Sequence, residues 1–158
     1  MRIKELMSHP VVACPNITTL DDAARLMWEY DCGIIPIVNG DGRLVGVVTD
    51  RDICMAGYTQ GRPLREIPVV SAMASQVVVA HADDGVESVE ALMRDYRVRR
   101  IPILDSEGRP VGIASMNDLA RLAARVHKSV VDRDVVETLA AVCQPRAATS
   151  AARQALAG

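Results

Sequence analysis

Phenylalanine is absent from this 158-residue chain, tryptophan occurs once, and aromatics reach only 3%. The stacking surface on which single-stranded nucleic-acid binders lay successive bases therefore has almost nothing to build with. An excess of one charge is missing too: 18 Lys and Arg against 20 Asp and Glu leave a net −2, which offers a polyanion no field to follow. No apolar run approaches the roughly eighteen residues of a membrane span, and MRIKELMSHP at the N-terminus holds no signal-type stretch. The expectation is a cytoplasmic protein without nucleic acid or membrane as a partner.

Other chemistries are thinly represented. Cys14, Cys32, Cys54 and Cys143 stand far apart with no C-x-x-C pair, and His9, His81 and His127 are as scattered. No metal ligands are assigned, no disulfide framework is indicated, and the thiols are expected to be buried. There is no Walker sequence. Gly40-Asp41-Gly42 resembles the start of a dinucleotide fingerprint, but Leu44 to Val48 continues as strand and position 45 is not glycine. No nucleophile, base and orienting group are placed together, so no catalytic residue is assigned and the chain is read as non-enzymatic.

What the sequence does contain is one passage written twice. Gly33 to Asp52 reads GIIPIVNGDGRLVGVVTDRD, and Arg99 to Asp118 reads RRIPILDSEGRPVGIASMND; Pro36 falls on Pro102, Gly46 on Gly112 and Asp52 on Asp118, each 66 positions apart. The same offset relates Leu26-Met27 to Leu92-Met93, Val11-Val12 to Val77-Val78, and Met7 to Met73. A unit of about fifty residues buries too little apolar surface to stand alone, so the two copies should pack on each other. With 49% hydrophobic residues, enough is present for that core.

Within a unit the pattern reads strand, helix, strand, strand, helix. Arg2 to Met7 forms a helical turn leading into a strand at Val11 to Ala13. Thr19 with Asp22 opens a helix carrying Leu20, Ala23, Ala24 and Met27 on one face, and Gly33 takes the left-handed position after it. Ile34–Val38 and Leu44–Val48 flank the turn Asn39-Gly40-Asp41-Gly42 as a hairpin, and Thr49 caps a helix reaching about Ala56. The second copy repeats this with a strand at Val77 to Ala80, Asp84 and Glu87 capping a helix, and Ser115 capping another that reaches about His127. Asp134 and Glu137 open one further short helix, and the alanine-rich end AATSAARQALAG is expected to be mobile. The division is 1–62 for the first repeat with its lead-in, 63–127 for the connector and second repeat, and 128–158 for the rest.

The chemically informative motif is Gly-apolar-x-Thr/Ser-x-x-Asp at each strand-to-helix junction: Gly46, Thr49 and Asp52, then Gly112, Ser115 and Asp118. A helix N-terminus suits an anion such as phosphate, and the carboxylate one turn on can accept from a ribose diol. In a single copy, a capping box that only stabilises its helix is the simpler account. Two copies in register, each behind the hairpin Ile35-Pro36-Ile37 or Ile101-Pro102-Ile103 and the step Val45-Gly46-Val47 or Val111-Gly112-Ile113, resemble a tandem pair of CBS domains, a Bateman module, over about Met1 to Val126.

That resemblance implies an α/β (α+β) fold of two β-α-β-β-α CBS repeats related by a pseudo-twofold axis, with two clefts between them for adenosyl ligands such as AMP, ADP, ATP, NAD or S-adenosylmethionine, and no required cofactor. Carried over by position, Asp52 and Asp118 would hold ribose hydroxyls, and Thr49 and Ser115 a phosphate. Val12, Ile34 and Ile35, or Val78 and Ile101, would sandwich adenine, and Arg100 would bind phosphate. Ile34 stands where Arg100 stands in the other copy, with Arg51 as a candidate substitute. The resemblance further implies a regulatory, signal-transducing role and a homodimer, for which Leu26, Met27, Trp28, Leu92 and Met93 supply helix surface. The alternative is a ligand-free interaction module, or a regulatory subunit meeting an unidentified protein target in trans.

Overall fold

The computed structural model describes residues 1–126 and 129–144. The expected end of the fourth helix at His127 and the alanine-rich tail lie outside the described residues. Each repeat forms a three-stranded sheet flanked by two helices. The first holds β1 (Cys14–Pro15), α1 (Leu20–Glu29), β2 (Ile34–Val38), β3 (Leu44–Thr49) and α2 (Asp50–Gln60). The second holds β4 (Ala80–His81), α3 (Val86–Tyr96), β5 (Arg100–Leu104), β6 (Pro110–Ser115) and α4 (Met116–Val126), followed by α5 (Ser129–Val142). Sheet orders are β1-β2-β3 and β4-β5-β6; the first pair in each is parallel and the second antiparallel, with Ile37 opposite Gly46 and Ile103 opposite Gly112.

The hairpins are fixed by their own side chains. Asn39 Oδ1 accepts from the amides of Asp41 and Arg43, both at 3.0 Å, and Asp105 Oδ1 accepts from those of Glu107 and Arg109, both at 2.9 Å. The Arg109 amide holds the Asp105 carboxyl below the usual carboxylate range. Gly42 and Gly108 close these turns at φ 76° and 79°, where a side chain would be strained. The two turns meet, the Leu44 amide donating to the Gly108 carbonyl at 3.0 Å.

Several elements differ from expectation. The first strands are two residues long, at Cys14–Pro15 and Ala80–His81; Val11–Ala13 and Val77–Val79 join no ladder. The left-handed residue after α1 is Asp31, at φ 48°, and not Gly33. Gly33 is small for another reason: a Cβ there would sit 3.0 Å from Arg100 Nη2. The N-cap of α3 is Gly85, while Asp84 accepts from the His81 amide at 2.8 Å and so shapes the preceding turn. Of the thiols, only Cys14 is buried; Cys54 and Cys143 are exposed.

The lead-ins cross over. The Ile3 amide donates to Asp84 O at 2.8 Å, the Ser8 amide to Ile113 O at 2.9 Å, and Ile3 is wholly buried in the core of the second repeat. In the first repeat the connector takes that place: the Val69 amide donates to Thr18 O at 2.9 Å, the Ala74 amide to Val47 O at 2.8 Å, and Ile67 and Val69 complete its core. The Val-Gly-apolar step exists for this crossing. A Cβ on Gly46 would lie 2.6 Å from Met73 Sδ, and one on Gly112 would collide with Met7 Sδ. Sequence neighbours are therefore not packing neighbours, and each half needs a segment from the other side of the chain.

Helix α5 begins earlier than expected and packs on α3 and α4, burying Val135, Thr138 and Val142. Leu139 on the same helix is 45% exposed. Beneath α5 lies Glu90, buried, whose carboxyl is pushed up by burial and by the nearby Asp134 and Glu87 charges.

Candidate functional site

A cleft of about 390 Å³ opens between the halves. It is lined by the lead-in at Ser8 and Pro10 to Val12, which Ser8 pairs to Ile113 of β6, by Ile34 at the head of β2, and by Ser115, Asn117 and Arg121 at the end of β6 and on α4. Arg100, first residue of β5, reaches in over Gly33. The lining combines apolar side chains, Val11, Val12, Ile34 and Ile113, with polar and cationic ones, Ser8, Ser115, Asn117, Arg100 and Arg121. Such a cleft with a few polar groups is the usual form of a small-ligand site. Cys32 also lines it, its thiol pushed up by burial despite the neighbouring Arg100 charge.

Both capping boxes are closed. Thr49 N and Oγ1 donate to Asp52 Oδ2 at 2.9 and 2.7 Å; Ser115 N and Oγ donate to Asp118 Oδ2 at 2.8 and 2.6 Å. Each hydroxyl also accepts from the amide of its aspartate at 3.3 Å. In this arrangement each hydroxyl is paired with its own helix's carboxylate. Of the first α4 amides, that of Met116 bonds Arg99 O and that of Asp118 bonds Ser115 Oγ. The Arg100 side chain, by contrast, makes no hydrogen bond or ion pair among the described residues, although Asp50 Oδ2 borders the same space over Gly33.

Asp118 is 1% exposed and lies just under the cleft surface. Its second oxygen, Oδ1, pairs with Arg121 and stands 3.5 Å from Ser8 Oγ. Of the expected site residues, the structure brings Val12, Ile34, Arg100 and Ser115 to the cleft wall, with Asp118 directly beneath. Ile35 and Ile101 are wholly buried in the two cores and support the walls from behind. Thr49, Arg51, Asp52 and Val78 do not line this cleft; they occupy the places 66 residues from Ser115, Asn117, Asp118 and Val12.

Ser8, Asp31, Asn117 and Arg121 were not expected here. The spacing of Asn117 and Arg121, one helical turn apart behind Ser115, is a signal that places them on one face. Ser8 carries no such signal, because it arrives only through the crossing of the lead-in. Among the described residues no cluster of His, Cys, Asp and Glu is suited to a metal ion, and no helix is long and apolar enough to cross a membrane.

A model of the CBS domain matches residues 3–58 and again 64–125. The chain belongs to the CBS-domain family. Hypoxic response protein 1 of Mycobacterium tuberculosis is 30% identical over 147 residues, covering 93% of this chain and 97% of its own length. Among solved CBS structures, the domain pair of protein MJ0100 in complex with 5′-methylthioadenosine and S-adenosyl-L-methionine is 28% identical, with a TM-score of 0.72 over 79% of this chain and 97% of its own. The CBS domain protein PAE2072 from Pyrobaculum aerophilum, complexed with AMP, is 25% identical with a TM-score of 0.70, over 86% and 98%. L-aspartate semialdehyde sulfurtransferase of Methanocaldococcus jannaschii is 30% identical over 120 residues, but the chain spans only 23% of that enzyme's length.

Proposed function

We propose that this CBS pair is a non-enzymatic cytoplasmic sensor that holds an adenosyl ligand, with AMP as the reference compound, in the cleft between its repeats. The observation that carries this reading is Arg100: a guanidinium with no side-chain hydrogen bond or ion pair among the described residues, on the wall of a cleft that Val12, Ile34 and Ile113 also line. The adenine lies between Val12 and Ile34, the ribose hydroxyls reach Asp118, and the phosphate takes Arg100 with Asn117. Ser115 serves by orienting Asp118 and not by binding phosphate itself. Thr49, Arg51, Asp52 and Val78 form the corresponding set for a second, chemically different cleft. The complexes of MJ0100 and PAE2072 support adenosyl chemistry as the class.

Thermal shift with AMP, ADP, ATP, NAD and S-adenosylmethionine tests it, since a ligand at about 100 times its Kd adds roughly 2.7 kcal/mol of stability. At least one compound should raise the melting temperature, and Asp118→Ala should remove most of that response. A response that survives both Asp52→Ala and Asp118→Ala would overturn the assignment of the site. A second reading, docking on a protein target or on a second copy, draws on Trp28 and Tyr58, which are 88% and 82% exposed. It expects no melting shift with any nucleotide.

A further inference from the structure

We propose that the Asp118–Arg121 ion pair is a latch that makes this cleft select ligands carrying a vicinal diol and an anionic group together. The proposal rests on the adenosyl reading above and concerns how the same cleft is regulated and what it rejects.

Asp118 has one oxygen to offer. Oδ2 is locked in the capping box by the amide and hydroxyl of Ser115, at 2.8 and 2.6 Å. Oδ1 is the oxygen left for a ribose diol, and it is already held by the Arg121 guanidinium, with Ser8 Oγ 3.5 Å away. The carboxylate is 1% exposed and the arginine side chain 60% exposed, so Arg121 roofs Asp118 from the solvent side. A diol that donates to Oδ1 competes with the guanidinium for that oxygen. A displaced Arg121 stands on the cleft wall beside Arg100, without its carboxylate. An anion on the ligand restores a partner to it; a ligand with a diol and no anion does not, and loses the ion pair without recompense.

The other repeat shows that the cap does not require this pair. Asp52 closes the same box at 2.9 and 2.7 Å, yet Met55 occupies the place of Arg121 and Ala74 that of Ser8. Asp52 Oδ1 accepts no hydrogen bond among the described residues. The latch is therefore an addition to one repeat, set on the oxygen that a diol would use.

Calorimetric titration with adenosine and with AMP tests the proposal, comparing Arg121 intact and Arg121→Met, both in an Asp52→Ala background to remove the counterpart cleft. Arg121→Met copies the residue of the first repeat at an exposed site, and circular dichroism verifies the fold. Removing the latch should tighten adenosine and weaken AMP, so that the preference for AMP over adenosine falls by about fivefold or more. If the two ligands weaken by the same factor, or AMP weakens while adenosine is unchanged, Arg121 is an ordinary phosphate contact and the latch is wrong. If neither compound nor any of the adenosyl panel binds either protein, the adenosyl reading itself falls, and the latch with it.

Discussion

Asp52 and Asp118 close the same box at the heads of α2 and α4, with the same donors and distances within 0.1 Å for the hydroxyl and amide contacts. Around them the repeats part company. Asp118 is roofed by Arg121 and approached by Ser8; Asp52 has Met55 and Ala74 in those places. At the strand heads, Arg100 answers Ile34, and on the helices Glu90 answers Ala24. The backbone scaffold is duplicated, while the charges have been redistributed onto it. Internal duplication thus keeps what the fold needs, namely caps, turns and the glycine under each crossing lead-in, and leaves ligand chemistry free to diverge.

The largest test of the comparison concerns what the halves share. Ile3 and Ile67 are both wholly buried, one in each core, so Ile3→Ala and Ile67→Ala should each cost about 2–5 kcal/mol in urea unfolding. An Ile3→Ala variant as stable as the parent protein would break the claim that the lead-in completes the second core. Next, Arg100→Ile makes the strand heads alike. It should weaken AMP by about 1.5–3 kcal/mol, the worth of a charged hydrogen bond, with adenosine little affected; equal losses for both would show that Arg100 acts on the fold and not on the anion.

Glu90 offers a pH-dependent contrast with Ala24. Burial and the Asp134 and Glu87 charges raise its folded pKa above the unfolded value, so the native state binds the extra proton. Its contribution is fully present below the unfolded pKa and is lost as pH rises through the folded one. Glu90→Gln should therefore raise the melting temperature at neutral pH and leave it nearly unchanged in acid, by scanning calorimetry; a gain of the same size at both would remove Glu90 as the source. The smallest effect is expected from Met55→Arg, which would set an arginine three residues beyond Asp52. An exposed pair at that spacing adds about 0.3–0.5 kcal/mol, lost in high salt.

The repeat, the hairpins and the Thr49 and Ser115 caps were legible because each rests on a local rule: turn residues, β-branched runs, a hydroxyl three residues before a carboxylate. Val12, Ile34 and Arg100 are singled out by the resemblance to CBS pairs, carried over by position, and the fold brings them to the cleft wall. What escaped depends on the path of the chain between repeats. Val11 to Ala13 has a strand's composition but, like Val77 to Val79, stays out of the ladder, and Val11 and Val12 line the cleft instead. Gly33 reads as a helix terminator and is in fact a gap for Arg100. Arg121 is not singled out in the sequence, and its pairing with Asp118 Oδ1 emerges only from the fold.

The exchange of lead-ins also sets how force enters the molecule. Met1 to Ser8 is anchored on β6 and the start of α3, so a load applied at the N-terminus, by a fused domain or a tether, would be felt first by the half that comes last in the chain. Peeling that segment away would strip Ile3 from a core and Ser8 from the cleft in a single movement, emptying the site by mechanical means with no competitor present.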